Sequence, residues 1–263
     1  MRQDFNYHTH TFRCGHAAIC EDEQYVTAAL QAGFTTLGFS DHAPYPDRDK
    51  PTDRMDYSRL PDYLDSVNSL KEKYAGRIDL KLGFEMEYFP EYQDYIENVL
   101  LKKSEYLILG QHYDRPDGEF DYARQDSSPE QLRVYGSLVE EGLRRIPFLY
   151  LAHPDYFCAG IHEFDDTCVS ISHQICRAAA ETGTPMEVNI KLARRPKRIY
   201  ADGEHYLYPF RRFWQIAQQY PVKCVYGFDA HDPGILLRGE EMYEIADGIL
   251  EGLKLDFLRE KLI

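Results

Sequence analysis

Three imidazoles fall within nine residues in the stretch Tyr7-His8-Thr9-His10-Thr11-Phe12-Arg13-Cys14-Gly15-His16. A strand turns alternate side chains to one face, so His8 and His10 can aim two ring nitrogens at a common point. Convergent imidazoles suit zinc, manganese or iron. An isolated pair is more often a solvated surface His-X-His, and the rest of the chain has to decide between the two. Cys14, between His10 and His16, is a further conceivable ligand, although histidines and carboxylates are plentiful around it.

The same residue types recur, each time just after an apolar, β-rich run. Ser40-Asp41-His42 follows Phe34 to Phe39, and Glu85-Met86-Glu87 follows Arg77 to Phe84. His112 follows Tyr106 to Leu109, His153 follows Phe148 to Ala152, and Asp229-Ala230-His231 follows Val222 to Gly227. Only the run Pro185 to Asn189 departs, leading into the basic segment Lys191 to Arg198. Counting His16, seven of the ten histidines lie on or just after such exits, which scattered core or surface histidines would not be expected to do. So many donors exceed the needs of one tetrahedral zinc, and they point to two or three closely spaced divalent transition-metal ions. A carboxylate such as Glu85 would bridge them. Water or hydroxide held between the cations, beside Glu85 and Asp229, becomes a nucleophile near neutral pH, and paired cations clamp phosphoryl oxygens. The expected chemistry is metal-assisted hydrolysis of a phosphate ester.

Helical patterns alternate with the β-rich runs and would hold the exits at one end of the molecule. They cover Asp22 to Ala32, stopped at Gly33, then Tyr57 to Tyr74, Tyr92 to Lys102, Pro129 to Arg145, Asp166 to Thr182, Tyr208 to Tyr220 and Glu240 to Leu253. Ala43 to Asp56, broken by Pro44, Pro46 and Pro51, reads as a loop at the rim of the site. Seven strands alternating with helices, without a Pro/Ser-rich linker, predict parallel βαβ units closing into one α/β barrel domain over residues 1–263. In such barrels the active site lies at the C-terminal ends of the strands.

Composition narrows the partners. Lys plus Arg 30 against Asp plus Glu 44 gives a formal charge of -14, which repels polyanions and disfavours nucleic acid. No apolar run reaches the length of a membrane span, and no signal-peptide core precedes Phe5, so no membrane partner and a cytoplasmic location are expected. The six cysteines form no CxxC pair and are expected to be reduced. Oligomeric state is not legible.

Together, His8-Thr9-His10, Ser40-Asp41-His42, Gly83-Phe84-Glu85, His112, His153 and Phe228-Asp229-Ala230-His231 resemble the PHP family, named for polymerase and histidinol phosphatase. The match in order and spacing runs over almost the full chain. Ser40-Asp41-His42-Ala43-Pro44 and Leu109-Gly110-Gln111-His112 look most like the stand-alone histidinol-phosphate phosphatases. The resemblance implies a distorted (β/α)7 TIM-like barrel with a trinuclear site and hydrolysis of L-histidinol phosphate, a small phosphorylated substrate. Phosphotyrosine or another small phosphate ester is the alternative. The resemblance places His8, His10, Glu85 and Asp229 on one metal, with Glu85 bridging to a second held by His112 and His153, and His16, His42 and His231 on a third. Glu87 competes with Glu85 for the bridge, and the Gly-X-Glu match favours Glu85.

Relatives close to histidinol phosphatase usually carry Asn-Thr-Ser/Ala-Gly-Leu-Arg after strand six, the arginine holding substrate phosphate. Here the run is Asn189-Ile190-Lys191-Leu192-Ala193-Arg194-Arg195. The arginine spacing survives while the small residues are gone. A planar guanidinium suits bidentate phosphate binding, so Arg194 is the first candidate, Arg195 the second, and Tyr113 a further substrate contact. Asp41 beside His42 reads as an orienting carboxylate rather than a ligand. His162, His173 and His205 lack matching partners and read as non-ligands. Two rivals are an amidohydrolase-type barrel, which usually carries a lysine where His112 stands, and a non-catalytic module, which would be free to lose ligands that this chain retains.

Overall fold

Leu37, Phe39, Leu80, Leu82 and Phe84 are buried and make the second and third strands the centre of a parallel sheet. The protein is described by a computed structural model over residues 2–47, 53–191 and 196–263. In chain order its elements begin with β1 (Phe5–Asn6), α1 (Asp22–Ala32), β2 (Thr36–His42), α2 (Leu60–Lys73) and β3 (Asp79–Met86). A helical stretch follows in which α3 (Gln93–Tyr95) and α4 (Leu101–Lys103) flank a π-helical turn, Ile96–Leu100. Next come β4 (Tyr106–Leu109), α5 (Pro129–Arg145), α6 (Asp166–Thr182) and β5 (Met186–Asn189). The chain continues through β6 (Arg198–Tyr200), β7 (Gly203–His205), α7 (Arg211–Ala217) and β8 (Lys223–Gly227), and ends with α8 (Pro233–Leu236), α9 (Gly239–Leu250) and β9 (Asp256–Phe257).

The strands form a four-stranded sheet in the order β1-β2-β3-β4 and a three-stranded sheet in the order β5-β8-β9, both parallel. Single parallel bridges connect them at both edges: Leu151 pairs with Leu109 and Met186, and Thr9 pairs with Ala230. The result is an α/β fold with a curled parallel sheet whose strand exits share one end. Helices cover its outer face, α5 packing on α6, α6 on α7 and α1 on α8. The register of β2 against β3 sets His42 beside Glu85, which begins to assemble the site.

Several expected elements differ. The expected fifth strand, Phe148 to Ala152, contributes one bridge residue among the described residues, although backbone bonds run from it to both neighbours. Pro147 and Pro154 flank it, and a proline cannot donate to a ladder and constrains the residue before it, which keeps the segment short. The first strand is only Phe5–Asn6, before the histidines. The helix expected from Tyr208 begins at Arg211, because Asp155 Oδ2 accepts the Phe210 backbone N–H at 2.6 Å and fixes the turn ahead of it. The basic segment after β5 leads into the β6–β7 hairpin, which periodicity did not foretell. By contrast α1, α5 and α6 have the expected ends. Ser128 and Gln131 form a reciprocal cap on α5, Asp165 caps α6, and Gly33 ends α1 with left-handed backbone.

Candidate metal centre

His8 and His10 lie just past β1, on either side of bridged Thr9, with backbone bonds to the 230 region holding both. Glu85 comes from β3, His42 from the end of β2, and His112 and His153 from the turns after β4 and the short fifth segment. Asp229 and His231 follow β8. The nine residues named from sequence thus converge at one end of the sheet, with Glu85 at their centre.

Glu85 Oε2 is 3.1 Å from His8 Nε2, 3.2 Å from His10 Nε2 and 3.3 Å from His42 Nδ1. Its other oxygen is 2.7 Å from His153 Nε2 and 3.4 Å from His112 Nε2. Asp229 Oδ1 lies 3.3 Å from His10 Nε2 and 3.7 Å from His8 Nε2. His16 Nε2 faces His231 Nε2 at 2.8 Å. Donor atoms of His16, His42 and His231 lie within 4.8 Å of one another, as do those of His8, His10 and Glu85, of His42, Glu85 and His112, and of His8, His153 and Asp229.

A metal fits this donor set on a physical test. His8 Nε2, His10 Nε2 and Glu85 Oε2 are buried and have no hydrogen-bond partner among the described residues, although the two imidazole nitrogens lie 3.1 and 3.2 Å from that Glu85 oxygen. Unsatisfied polar atoms in a core are costly unless something else meets them, and lone pairs aimed at a shared point are what a cation requires. His153 and Asp229 also hold positive φ, 28° and 45°, a backbone region that costs non-glycine residues roughly 1–3 kcal/mol and clusters at functional sites.

Other carboxylates fix the ring orientations. Glu187 Oε1 takes His8 Nδ1 at 2.7 Å, leaving Nε2 to face the centre. Glu187 Oε2 accepts the His153 backbone N–H and the Asn189 amide, each at 3.0 Å. Glu87 has other partners: it takes His112 Nδ1 at 2.9 Å, a two-pronged contact from Arg54 at 3.0 and 3.1 Å, and the Tyr45 hydroxyl at 2.9 Å. Asp41 accepts from Thr11 and stands 3.6 Å from His10 Nδ1. Such backing carboxylates select the tautomer and raise ligand basicity. Two glycines make room for this, since a Cβ on Gly110 would overlap the Glu85 carboxylate and one on Gly227 the Glu187 carboxylate.

Electrostatics keep the central carboxylates ionised. Burial alone would raise the Glu85 carboxyl, but His8, His42 and His112 hold it well below its ordinary range. Asp229 is likewise held low against burial, by Lys191 and then His8. Burial lowers His42 and His231 well below the usual imidazole value, which keeps them available as neutral ligands. Cys14 lies with His10 and His231, but burial and then Asp41 push its thiol up, away from the thiolate that metals prefer.

A cavity of about 330 Å³ opens on the cluster and is lined by His16, His112, Tyr113, Tyr156, Lys191 and Tyr208 among others. Tyr113 therefore lies where a substrate could reach it. Arg194 and Arg195 lie outside the described residues. His162, His173 and His205 pair instead with Asp126, Tyr220 and Asp202, away from the cluster.

Sequence reasoning missed Glu187, Arg54 and Lys191. Glu187, Asn189 and Lys191 are spaced two apart at the exit of β5, and that period could have placed them on one face. Glu187→Gln is expected to weaken metal affinity by about 10- to 100-fold, because an amide oxygen is a poorer acceptor for His8 Nδ1. Metal competition with a chelator measures it, and unchanged affinity would remove Glu187 from this role.

The sequence model of the PHP domain family matches residues 6–191. A Deinococcus radiodurans protein named probable histidinol-phosphatase is 31% identical over 251 residues, 93% of this chain and 90% of that protein. Bacillus subtilis histidinol-phosphatase is 32% identical over 121 residues, 43% of this chain and 45% of that one. In fold, the chain is similar to the crystal structure of histidinol phosphate phosphatase from Lactococcus lactis, complexed with zinc, L-histidinol and phosphate. The TM-score is 0.71 at 19% identity, covering 97% of this chain and 95% of that one.

Proposed function

The chain belongs to the PHP domain family, and from that premise we propose that it is a metal-dependent phosphomonoesterase. It hydrolyses L-histidinol phosphate to L-histidinol and inorganic phosphate, a step of histidine biosynthesis in the cytoplasm. The observation that carries the reading is the buried, unpartnered set of His8 Nε2, His10 Nε2 and Glu85 Oε2 at the centre of the strand exits. The names of the relatives supply the substrate. The fold is read as a distorted (β/α)7 barrel over one domain, residues 1–263, closed through the bridges at Leu151 and Thr9.

Two or three zinc, manganese or iron ions, when bound, would lower the pKa of water and draw charge from the phosphoryl oxygens. His8, His10, Glu85 and Asp229 would hold one, His112 and His153 a second shared with Glu85, and His16, His42 and His231 a third. Glu187 and Glu87 keep His8 and His112 in the tautomer that presents Nε2. Arg194, with Arg195 as second choice, would take the phosphate as a two-pronged donor. Tyr113, which lines the cavity, would contact the rest of the substrate. No helix among the described residues is long and apolar enough to cross a membrane.

Steady-state kinetics on histidinol phosphate, phosphotyrosine and sugar phosphates test the reading. Histidinol phosphate is expected to give the highest kcat/KM. A rank well below the others would overturn the substrate while leaving the reaction class standing, and turnover of lactones or amides instead would overturn both.

A further inference from the structure

Glu187, Asn189 and Lys191 leave β5 in alternation, and the three form one connected strip. Asn189 donates to Glu187 Oε2 at 3.0 Å and to Asp229 Oδ2 at 3.3 Å, while its own side-chain oxygen accepts the Lys191 backbone N–H at 3.0 Å. Lys191 is thereby anchored at its backbone. Its Nζ stands 3.0 Å from Asp229 Oδ1, and its side chain keeps 27% exposure on the cavity wall.

An added positive charge beside a centre built to collect cations is unfavourable by itself. Asp229 offsets it only while that carboxylate is not fully engaged elsewhere. The charge balances when an anion lies between the ammonium and the centre, and the cavity onto which Lys191 opens is where that anion would sit. Lysine suits the role, as a compact point charge on a flexible stem that can leave Asp229 for a phosphoryl oxygen within the same cavity.

We propose that Lys191 Nζ is a direct phosphate-binding group of this site, held in readiness at the cavity wall by Asp229 and Asn189. The proposal rests on the phosphomonoesterase reading and adds to it a cation on the cavity wall. It places a phosphate contact ahead of Arg194 and Arg195 in the chain, so binding of the anion does not depend on those arginines alone.

The test is calorimetric titration of inorganic phosphate into metal-loaded protein, with elemental analysis of each variant. Lys191→Ala and Lys191→Ser are expected to weaken phosphate binding about 10-fold or more while metal content stays at the wild-type level, and Lys191→Arg to recover most of the loss. The same series should raise KM for an aryl phosphate far more than it lowers kcat. Unchanged phosphate affinity in Lys191→Ala with its metal intact would overturn the proposal. Loss of metal in both Lys191→Ala and Lys191→Ser would overturn it too, since Lys191 would then serve the geometry of Asp229. Phosphate is the probe, so the expected pattern supports the assignment even where wild-type protein turns over no histidinol phosphate, an outcome that counts against the substrate alone.

Discussion

Glu85→Gln is expected to lower kcat/KM by about 10³ or more and to disturb two ions together, because one carboxylate stands within reach of five imidazoles. The amide keeps the volume and one acceptor oxygen but removes the charge and the second lone-pair-bearing oxygen that a bridge needs. Folding should survive: with the carboxylate gone, His8, His10, His42, His112 and His153 no longer surround a buried anion, and none of them loses a hydrophobic contact. Elemental analysis before and after dialysis, beside kinetics on an aryl phosphate, reads both effects. A variant that keeps full metal stoichiometry and activity within tenfold of wild type would mean that Glu85 is not the shared ligand.

Arg54→Ala has the largest expected effect on stability. Arg54 and Glu87 are 2% and 1% exposed and share a two-pronged contact. Removing the guanidinium leaves a buried carboxylate with too little compensation, which costs roughly 3–5 kcal/mol, or about 10 °C in melting temperature for a chain of this size. Burial alone would raise the Glu87 carboxyl, while Arg54 and then His112 hold it far below the usual range. The sign follows from that depression. The stabilisation is present above the unfolded value of about 4.3 and is lost as pH falls below it, so wild type and Arg54→Ala should converge in stability toward acid. Arg54→Ala is also expected to weaken metal binding through His112, whose Nδ1 partner is Glu87. Thermal melts at neutral and acid pH measure this, and a loss below 1 kcal/mol at neutral pH would show that the pair is not structural.

The convergence of the candidate ligands was legible because their residue types are scarce in buried strands and their places are fixed by the parallel sheet. His42, Glu85, His112 and His153 each follow an apolar run, and a parallel arrangement gives all such exits one address. The helices α1, α5 and α6 were legible end to end because caps and a stop glycine are local chemistry. Elements of two or three residues were not: β6 and β7 pair only with each other across a two-residue turn, β9 owes its pairing to the distant β8, and so short a stretch carries no period. The same limit hid Arg54. Its partner Glu87 is 33 positions along the chain, and nothing in the proline-broken segment Ala43 to Asp56 signals that it returns a buried cation beneath His112. Glu87 could be placed only by its contacts, which put it against His112 Nδ1 and Arg54. Lys191 was read as part of a basic loop, whereas its backbone bond to Asn189 and its ammonium at Asp229 tie it to the site.

The central claim is that nine donors on the strand exits build one multinuclear centre, and the most direct test is the metal content of active protein. Elemental analysis of purified enzyme, scaled to active sites titrated in the same sample, should return two to three transition-metal ions per chain, and chelation should remove activity in step with them. A single tightly bound ion in fully active enzyme would contradict the account.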